Sequence, residues 1–207
     1  MKILLSGFGA FDTFKENPSS MVLSLLKNED LPFDLETVLL PVSFDKCFEV
    51  LKEKINSTKP DAVIGMGLAG IRDEITPERV AINLIEARIP DNEGQQPLGK
   101  KVVEGGSDGL FTSLPIKAMV KAATDLDYKA SVSNTAGTYI CNYLMFKIIH
   151  YTNQQNILGG FIHLPPTIEM NKEKGMKLED IKKALTTMLS TLDQPDNELS
   201  INSGSEC

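Results

Sequence analysis

The sequence predicts an α/β fold: a single three-layer α/β/α domain with a mostly parallel, twisted sheet and helices on both of its faces. Strand-like apolar runs alternate with helix-like segments along the chain, which is the order that builds such sheets. Most of the strand-like runs are apolar at consecutive positions, as in strands buried on both faces. The length of 207 residues fits one domain with a sizeable core.

The alternation begins at residue 2 and continues to about residue 192. The segment 44–55 has apolar residues at helical spacing, whereas 79–85 alternates like a strand with one solvent-facing side. Pro115 suits the first turn of a helix, and Glu179 and Asp180 are favourable in the first turn of the last one. The predicted strands cover residues 2–8, 35–42, 61–67, 79–85, 130–133 and 157–164, and the predicted helices cover 19–27, 44–55, 115–126, 137–150 and 178–192.

Two segments lack either pattern. Residues 90–109 are rich in Gly, Pro, Asn and Asp and are predicted to form a long loop with a short hairpin, a length that suggests a function. The domain is expected to span 1–192, and the polar residues 193–207 are expected to be a disordered tail. No apolar run approaches the roughly 20 residues that cross a bilayer, and the N-terminus resembles a first buried strand more than a signal peptide.

Composition excludes several classes of protein. A net charge of -7 and a pI of about 4.9 argue against a nucleic-acid partner. The three cysteines, Cys47, Cys141 and Cys207, give no disulfide framework and suit a reducing cytoplasm. Cys47 lies on an apolar helix face and is expected in the core, and Cys207 is expected to be a free, exposed thiol. With two histidines and no ligand spacing, a metal site is not predicted.

Cys141 and His163 are the candidate nucleophile and base. Cys141 is near the start of a predicted helix and His163 ends the following strand, so both are expected at the same edge of the sheet. A helix N-terminus and an imidazolium both favour a thiolate, so a cysteine hydrolase is the first hypothesis. His150 is the other possible base, but it is at the far end of the same helix. The plain alternatives are a buried Cys141 and a structural His163.

Other polar and aromatic residues leave alternatives open. A third group should orient the imidazole. Arg88 could stabilise an oxyanion or be a surface arginine. Phe8 and Phe11 could wall a small apolar pocket or belong to the core. The acids that could orient the imidazole are Asp73, Glu74, Glu78, Glu86 and Asp91, and spacing does not choose among them.

A rival hypothesis rests on the glycines at positions 65, 67 and 70, which match GxGxxG after an apolar strand. Glu86 stands at about the distance expected for a ribose contact. A dinucleotide site also needs a helix after the glycines, and Pro77 would interrupt one within two turns. A nucleotide-binding enzyme is therefore the first alternative, and a non-catalytic binding module is the second.

Five blocks of the sequence together resemble the pyroglutamyl-peptidase I family, also called pyrrolidone carboxyl peptidases. The resemblance runs in register from residue 1 to about residue 192. The blocks are GFGAF with NPS in 7–19, AGIR at 69–72, TPERVA at 76–81 with ARIPDN at 87–92, SNTAGTYICN at 133–142, and GFIHLP at 160–165.

The resemblance implies a Cys-His-Glu triad of Cys141, His163 and Glu78, and so selects one of the five acids. It implies a cysteine exopeptidase that removes an N-terminal pyroglutamyl (5-oxoprolyl) residue from peptides and proteins through a thioester acyl-enzyme. No cofactor and no metal are implied.

The same resemblance implies roles for residues around the triad. Arg88 would assist near the oxyanion, and Phe8 and Phe11 would border the lactam ring of the substrate. The partners would be peptides with N-terminal pyroglutamate, with no nucleic acid and no membrane. Similar family members are cytoplasmic and usually homotetramers.

Overall fold

The computed structural model describes residues 1–11, 16–27 and 29–193. Within these ranges the chain alternates between strands and helices much as the sequence predicts. The strands are β1 Lys2–Phe8, β2 Asp34–Leu40, β3 Ala62–Leu68, β4 Thr76–Pro77, β5 Val80–Ile82, β6 Gly109–Phe111 and β7 Leu158–Leu164, and the helices are α1 Pro18–Leu26, α2 Cys47–Thr58, α3 Ile116–Thr124, α4 Ile140–Gln155 and α5 Leu178–Leu189.

The central sheet has the strand order β2-β1-β3-β7-β4 in the part of the chain that is described. β2, β1, β3 and β7 are parallel, and the short β4 is antiparallel to β7. β5 and β6 form a separate antiparallel pair. The carboxyl ends of the parallel strands therefore meet at one edge, where sites form in sheets of this kind.

Side chains that alternate along the strands build two cores. In β1, Leu4 packs with residues of α2 and α4, whereas Ile3 and Leu5 pack with residues of α1, α3 and α5. In β3, Val63 joins the first core and Ile64 joins the second. A core on each side of the sheet gives the three α/β/α layers, so the predicted fold class is confirmed.

Two predicted strands differ from the structure. Residues 79–85 form only the short β5, which pairs with β6 outside the central sheet, and beyond it Ile85 bridges to Lys100 in the long loop. Residues 130–133 form isolated parallel bridges, Ala130 to Ile75 and Glu78 to Ser133. The first segment pairs with the three-residue β6, and the second bonds to β4 and the residues beside it. Both partners are short, so neither supports a longer strand.

The start of α4 also differs from the prediction, and the difference places the candidate nucleophile. The helix begins at Ile140, three residues later than position 137. Gly137 has a positive φ of 77°, and Tyr139 is extended with φ −95° and ψ −159°. Because neither conformation is helical, the helix cannot start earlier, and Cys141 becomes its second residue.

Smaller differences concern helix ends. α2 begins at Cys47 and ends at Thr58, where Lys59 adopts φ 48° and donates its backbone N–H to the carbonyl of Ile55. The other helix ends differ from the predictions by at most a few residues, and α4 runs on to Gln155. The predicted disordered tail, including Cys207, lies outside the described residues apart from Asp193. No helix in the described ranges is long and apolar enough to span a membrane.

Candidate active site

The edge at which β3 and β7 end brings Cys141 and His163 to neighbouring positions. Gly67 of β3 is the register partner of His163 in β7. The sulfur of Cys141 lies so close to Gly67 that a Cβ added to this glycine would be 2.9 Å from Sγ. His163 shares its strand face with Phe161, which packs in the core on the α4 side. The thiol and the imidazole therefore lie on the same face of the sheet, beside Gly67 and Phe161.

Cys141 lies in the first turn of α4. The first four backbone N–H groups of a helix have no partner within it, and the helix dipole adds partial positive charge there. The turn from Gly137 to Tyr139 creates this start. The thiol and any oxygen bound next to it therefore face unpaired donors.

Glu78 is hydrogen-bonded to the imidazole of His163. The Nδ1 atom of His163 is 2.7 Å from Oε1 of Glu78, and both side chains are buried. The backbone N–H of Glu78 donates to the carbonyl of Phe161, and Ser133 bridges to it from the other side. With Nδ1–H donated to the carboxylate, the second ring nitrogen remains for the thiol.

Among the five candidate acids, Glu78 is the one whose hydrogen bond to His163 is observed. Asp91 is also buried, but its oxygens accept backbone N–H groups of Phe44, Glu93 and Gln95 and so stabilise a turn. The remaining three acids are more exposed: Asp73 pairs with Lys129, Glu74 accepts from Ser131, and Glu86 has an exposed side chain.

Arg72 completes the polar network, and sequence reasoning missed its place there. Its Nη1 atom donates to Glu78 Oε1 at 2.7 Å, and its Nη2 atom donates to the carbonyl of Thr135 at 2.9 Å. The same Nη1 atom also lies 2.5 Å from Oγ1 of Thr76. Its position within the AGIR block was visible in the sequence, but the turn that aims it at Glu78 was not.

Burial and charge shift the acidity of the two reactive groups. Burial alone would raise the pKa of Glu78, but hydrogen bonds and positive charge from His163, the hydroxyl of Ser133 and the charge of Arg72 outweigh it, so the pKa lies below its usual value. For Cys141, burial and then the negative charge of Glu78 raise the pKa of the thiol to about 12, with Arg72 opposing. Burial therefore favours the neutral form of the resting thiol, whereas the helix start favours the thiolate.

A cavity of about 190 Å³ opens beside Cys141. It is smaller than the roughly 300–1,000 Å³ of pockets for drug-sized ligands. The predicted pocket residues Phe8 and Phe11 line it, and so does the exposed Arg88. Phe11 also packs against Tyr139 with ring centroids 5.4 Å apart. The lining residues are Phe8, Phe11, Asn17, Val42, Leu68, Gly70, Arg88, Ile89, Tyr139, Ile140 and Cys141.

The NPS segment fixes the aromatic wall of this cavity. Asn17 caps α1 by accepting the backbone N–H of Ser19, and its amide donates to the carbonyl of Gly9. The hydroxyl of Ser19 accepts the backbone N–H of Phe8. These bonds tie the turn after β1 to the first turn of α1 and so position the ring of Phe8.

The glycines that suggested a nucleotide site have a packing role. A Cβ at Gly65 would lie 2.5 Å from the ring of Phe161, and one at Gly67 would meet Phe161 and the sulfur of Cys141. β3 is followed by a turn and then β4, with no helix between them. Since dinucleotide binding needs that helix, the nucleotide hypothesis is wrong for this segment.

The remaining predicted residues lie apart from the site. His150 is near the other end of α4, about 14 Å from Cys141 along the helix axis, where it stacks on Phe146. Cys47 is fully buried in the core of the α2 side, as predicted. Among the described residues, no three His, Cys, Asp or Glu side chains gather as metal ligands.

Comparison with known proteins gives the same family by sequence and by structure. A sequence model of the pyroglutamyl peptidase family matches residues 1–194. The pyrrolidone-carboxylate peptidase of Lactobacillus johnsonii is 44% identical over 204 residues, which cover 96% of this chain and 95% of the relative. That of Clostridium perfringens is 40% identical over 213 residues, and the match covers 100% of both chains.

Solved structures are similar over nearly the whole chain. Pyroglutamyl peptidase I from Bacillus amyloliquefaciens has a TM-score of 0.89 and 39% identity, with 94% of this chain and 98% of that one covered. Pyrrolidone carboxyl peptidase from Thermococcus litoralis has a TM-score of 0.91 and 32% identity, with 97% and 99% covered. The similarity therefore includes the elements that carry the cavity and the residues beside it.

Proposed function

The chain belongs to the pyroglutamyl peptidase family, and from this premise we propose how its own residues carry out the reaction. The activity is that of pyroglutamyl-peptidase I, a cysteine-type exopeptidase that hydrolyses the bond after an N-terminal pyroglutamyl residue. Cys141 is proposed as the nucleophile, His163 as the base and then the acid, and Glu78 as the group that orients His163.

The proposed reaction begins with a neutral thiol. Because the pKa of Cys141 is raised to about 12, His163 takes the proton as the sulfur attacks the scissile carbonyl. The tetrahedral intermediate collapses when the imidazolium gives this proton to the departing amine, and a pyroglutamyl thioester remains. A water molecule activated by His163 then attacks the thioester carbonyl, and pyroglutamate leaves as the sulfur is reprotonated.

The developing oxyanion needs donors that are already in place. The backbone N–H groups in the first turn of α4 are close to Cys141, and Arg88 lines the same cavity. Arg88 is therefore proposed to assist the oxyanion together with these N–H groups.

The proposed substrate pocket suits a small neutral ring. Phe8 and Phe11 supply apolar walls, and none of the described residues that line the cavity is acidic. A pyroglutamyl group has no free amine, so it needs no carboxylate to bind an ammonium. Peptides with a free N-terminal amine would bury a charge without a partner, which is costly.

The observation that carries the proposal is the joint placement of three groups at one sheet edge. Oε1 of Glu78 is 2.7 Å from Nδ1 of His163, and His163 is the register partner of Gly67. A Cβ added to Gly67 would lie 2.9 Å from the sulfur of Cys141. The cavity opens at this same place.

The test is release of aminocoumarin from a pyroglutamyl-aminocoumarin amide. We expect cleavage by the reduced wild type, and a loss of at least about 10³-fold in Cys141→Ser, because a serine is not activated in this setting. The matched control is Cys47→Ala, which removes the other described thiol from the core. Its cleavage rate per folded molecule should equal that of the wild type. Unchanged cleavage by folded Cys141→Ser would contradict the assignment of the nucleophile.

We further propose that the protein acts on pyroglutamyl peptides in the cytoplasm as a homotetramer. The few cysteines suit a reducing compartment, and the family resemblance supports the assembly. Light scattering coupled to gel filtration measures the mass, and fractionation of the source cells locates the protein. A monomeric mass at micromolar concentration would contradict the tetramer.

A further inference from the structure

The guanidinium of Arg72 joins two parts of the site that are far apart in the sequence. It pairs with Glu78 Oε1 at 2.7 Å, and it donates to the carbonyl of Thr135 at 2.9 Å in the turn that leads to Cys141. Its side chain is 24% exposed, whereas Glu78 is fully buried. Arg72 is thus a partly exposed partner of the buried carboxylate that binds His163.

Arg72 is not among the residues that line the cavity. It is therefore placed to act on the reaction through Glu78 and through the 135–141 turn, without contact to the substrate ring. Its two terminal nitrogens bind different acceptors, Nη1 the carboxylate of Glu78 and Nη2 the carbonyl of Thr135. A planar guanidinium fixes the angle between two such bonds as well as supplying the charge, which a lysine ammonium does not.

We propose that Arg72 is a positioning residue of the peptidase reaction, which keeps Glu78 aimed at His163 and ties it to the turn that carries Cys141. This inference rests on the proposed triad. It adds a fourth side chain whose removal should change the chemical step and leave substrate binding intact.

The charged groups around Glu78 determine how the pKa values in the site should change when Arg72 is replaced. His163 faces it from β7, Arg72 from the turn after β3, and Cys141 from the start of α4. The Nε atom of neighbouring Arg79 donates to Asn134 at 2.8 Å. Without Arg72, the pKa of Glu78 and that of the Cys141 thiol should both rise.

The first variant is Arg72→Gln, measured on the pyroglutamyl-aminocoumarin amide. We expect kcat to fall on the order of 10- to 100-fold, the loss that accompanies one charge-assisted hydrogen bond, with KM little changed. The acid limb of the kcat/KM profile should move up by about one pH unit. Lys129→Gln is the matched control, because it removes an equal charge from an exposed pair with Asp73.

The second variant, Arg72→Lys, keeps the positive charge but loses the planar guanidinium with its two terminal donor nitrogens. We expect its acid limb to stay near that of the wild type while kcat remains reduced. This variant also tests the proposal if Arg72→Gln folds poorly, since a role in stability alone would leave kcat per folded molecule unchanged.

A substrate-independent measurement separates this inference from the assignment of the activity. Alkylation of Cys141 by iodoacetamide, followed by mass spectrometry of its peptide at pH 8, should be about tenfold slower in Arg72→Gln, because its thiolate fraction falls. A double variant with Glu78→Gln should add little further loss of kcat. Wild-type alkylation, kcat and acid limb in folded Arg72→Gln would overturn the proposal. If the wild type cleaved no pyroglutamyl substrate, an unchanged alkylation rate in folded Arg72→Gln would overturn it by itself.

Discussion

At the scale of single residues, the site depends on one buried carboxylate. A fully buried acid stays ionised only if paired charges and hydrogen bonds repay its lost hydration. Glu78 has both, because Arg72 and His163 converge on the same oxygen, Oε1. The position of this oxygen then determines which nitrogen of His163 is left to accept the thiol proton.

Replacing Glu78 by Gln should impair the chemical step and spare binding. The amide can also present its NH₂ group to Nδ1, which favours the wrong tautomer of His163, so we expect kcat to fall about 10²- to 10⁴-fold with KM nearly unchanged. Steady-state kinetics on the aminocoumarin amide measure both constants. Glu74→Gln, which changes a nearby acid that accepts from Ser131, is the control. Equal losses in both variants would argue against the role given to Glu78.

At the scale of secondary-structure elements, the site depends on close packing between β3 and the first turn of α4. Gly67 is the contact point, because its missing side chain makes room for the sulfur of Cys141 and the ring of Phe161. The GxGxxG pattern that suggested phosphate binding thus reflects an approach of helix to strand.

Gly67→Ala should therefore damage the site more than the fold. The added methyl would lie 2.9 Å from Cys141 Sγ and 3.1 Å from Phe161, so the sulfur or the backbone beside it must shift from its present position. We expect kcat/KM to fall at least about tenfold and the free energy of unfolding to fall by about 1–3 kcal/mol. Kinetics and urea unfolding measure the two effects.

Gly9→Ala is the matched control for this substitution. Its added methyl would meet only the carbonyl oxygen of Leu40, at 4.0 Å, although Gly9 also lies in the turn beside the cavity. Normal activity in Gly67→Ala would mean that the sulfur can shift without leaving its base.

The sequence predicted elements well where periodicity determines them and poorly where tertiary pairing does. β1 was predicted to the residue, since a continuous apolar run has one interpretation as a buried strand. β4 has two residues and exists because it pairs with β7, so no local sequence pattern predicts it. Spacing alone also left five acids open. The choice of Glu78 rests on the family resemblance, and its bond to His163 depends on the pairing of β4 with β7.

At the scale of the whole molecule, the small β5–β6 sheet that follows Glu78 presents exposed apolar side chains. Val80 and Phe111 are register partners and therefore share one face, and Ile82 lies on the same face two residues on. The ring of Phe111 is 71% exposed and Ile82 is 36% exposed. Contiguous exposed apolar groups on a strand pair usually mark an association surface.

The proposed tetramer should therefore depend on Phe111. Burial of an aromatic ring at a subunit interface is often worth 2 kcal/mol or more, so Phe111→Ser should raise the dissociation constant on the order of tenfold or more. Sedimentation velocity over a dilution series measures this, with Leu126→Ser as control, because Leu126 is 57% exposed just after α3. If the Phe111→Ser tetramer dissociates at the same concentration as the wild type and the control, the subunits meet through another surface.

Since β5 follows Glu78 closely along the chain, a subunit contact at β5 would also restrain the segment that carries Glu78. The specific activity should therefore fall on dilution together with the mass of the assembly.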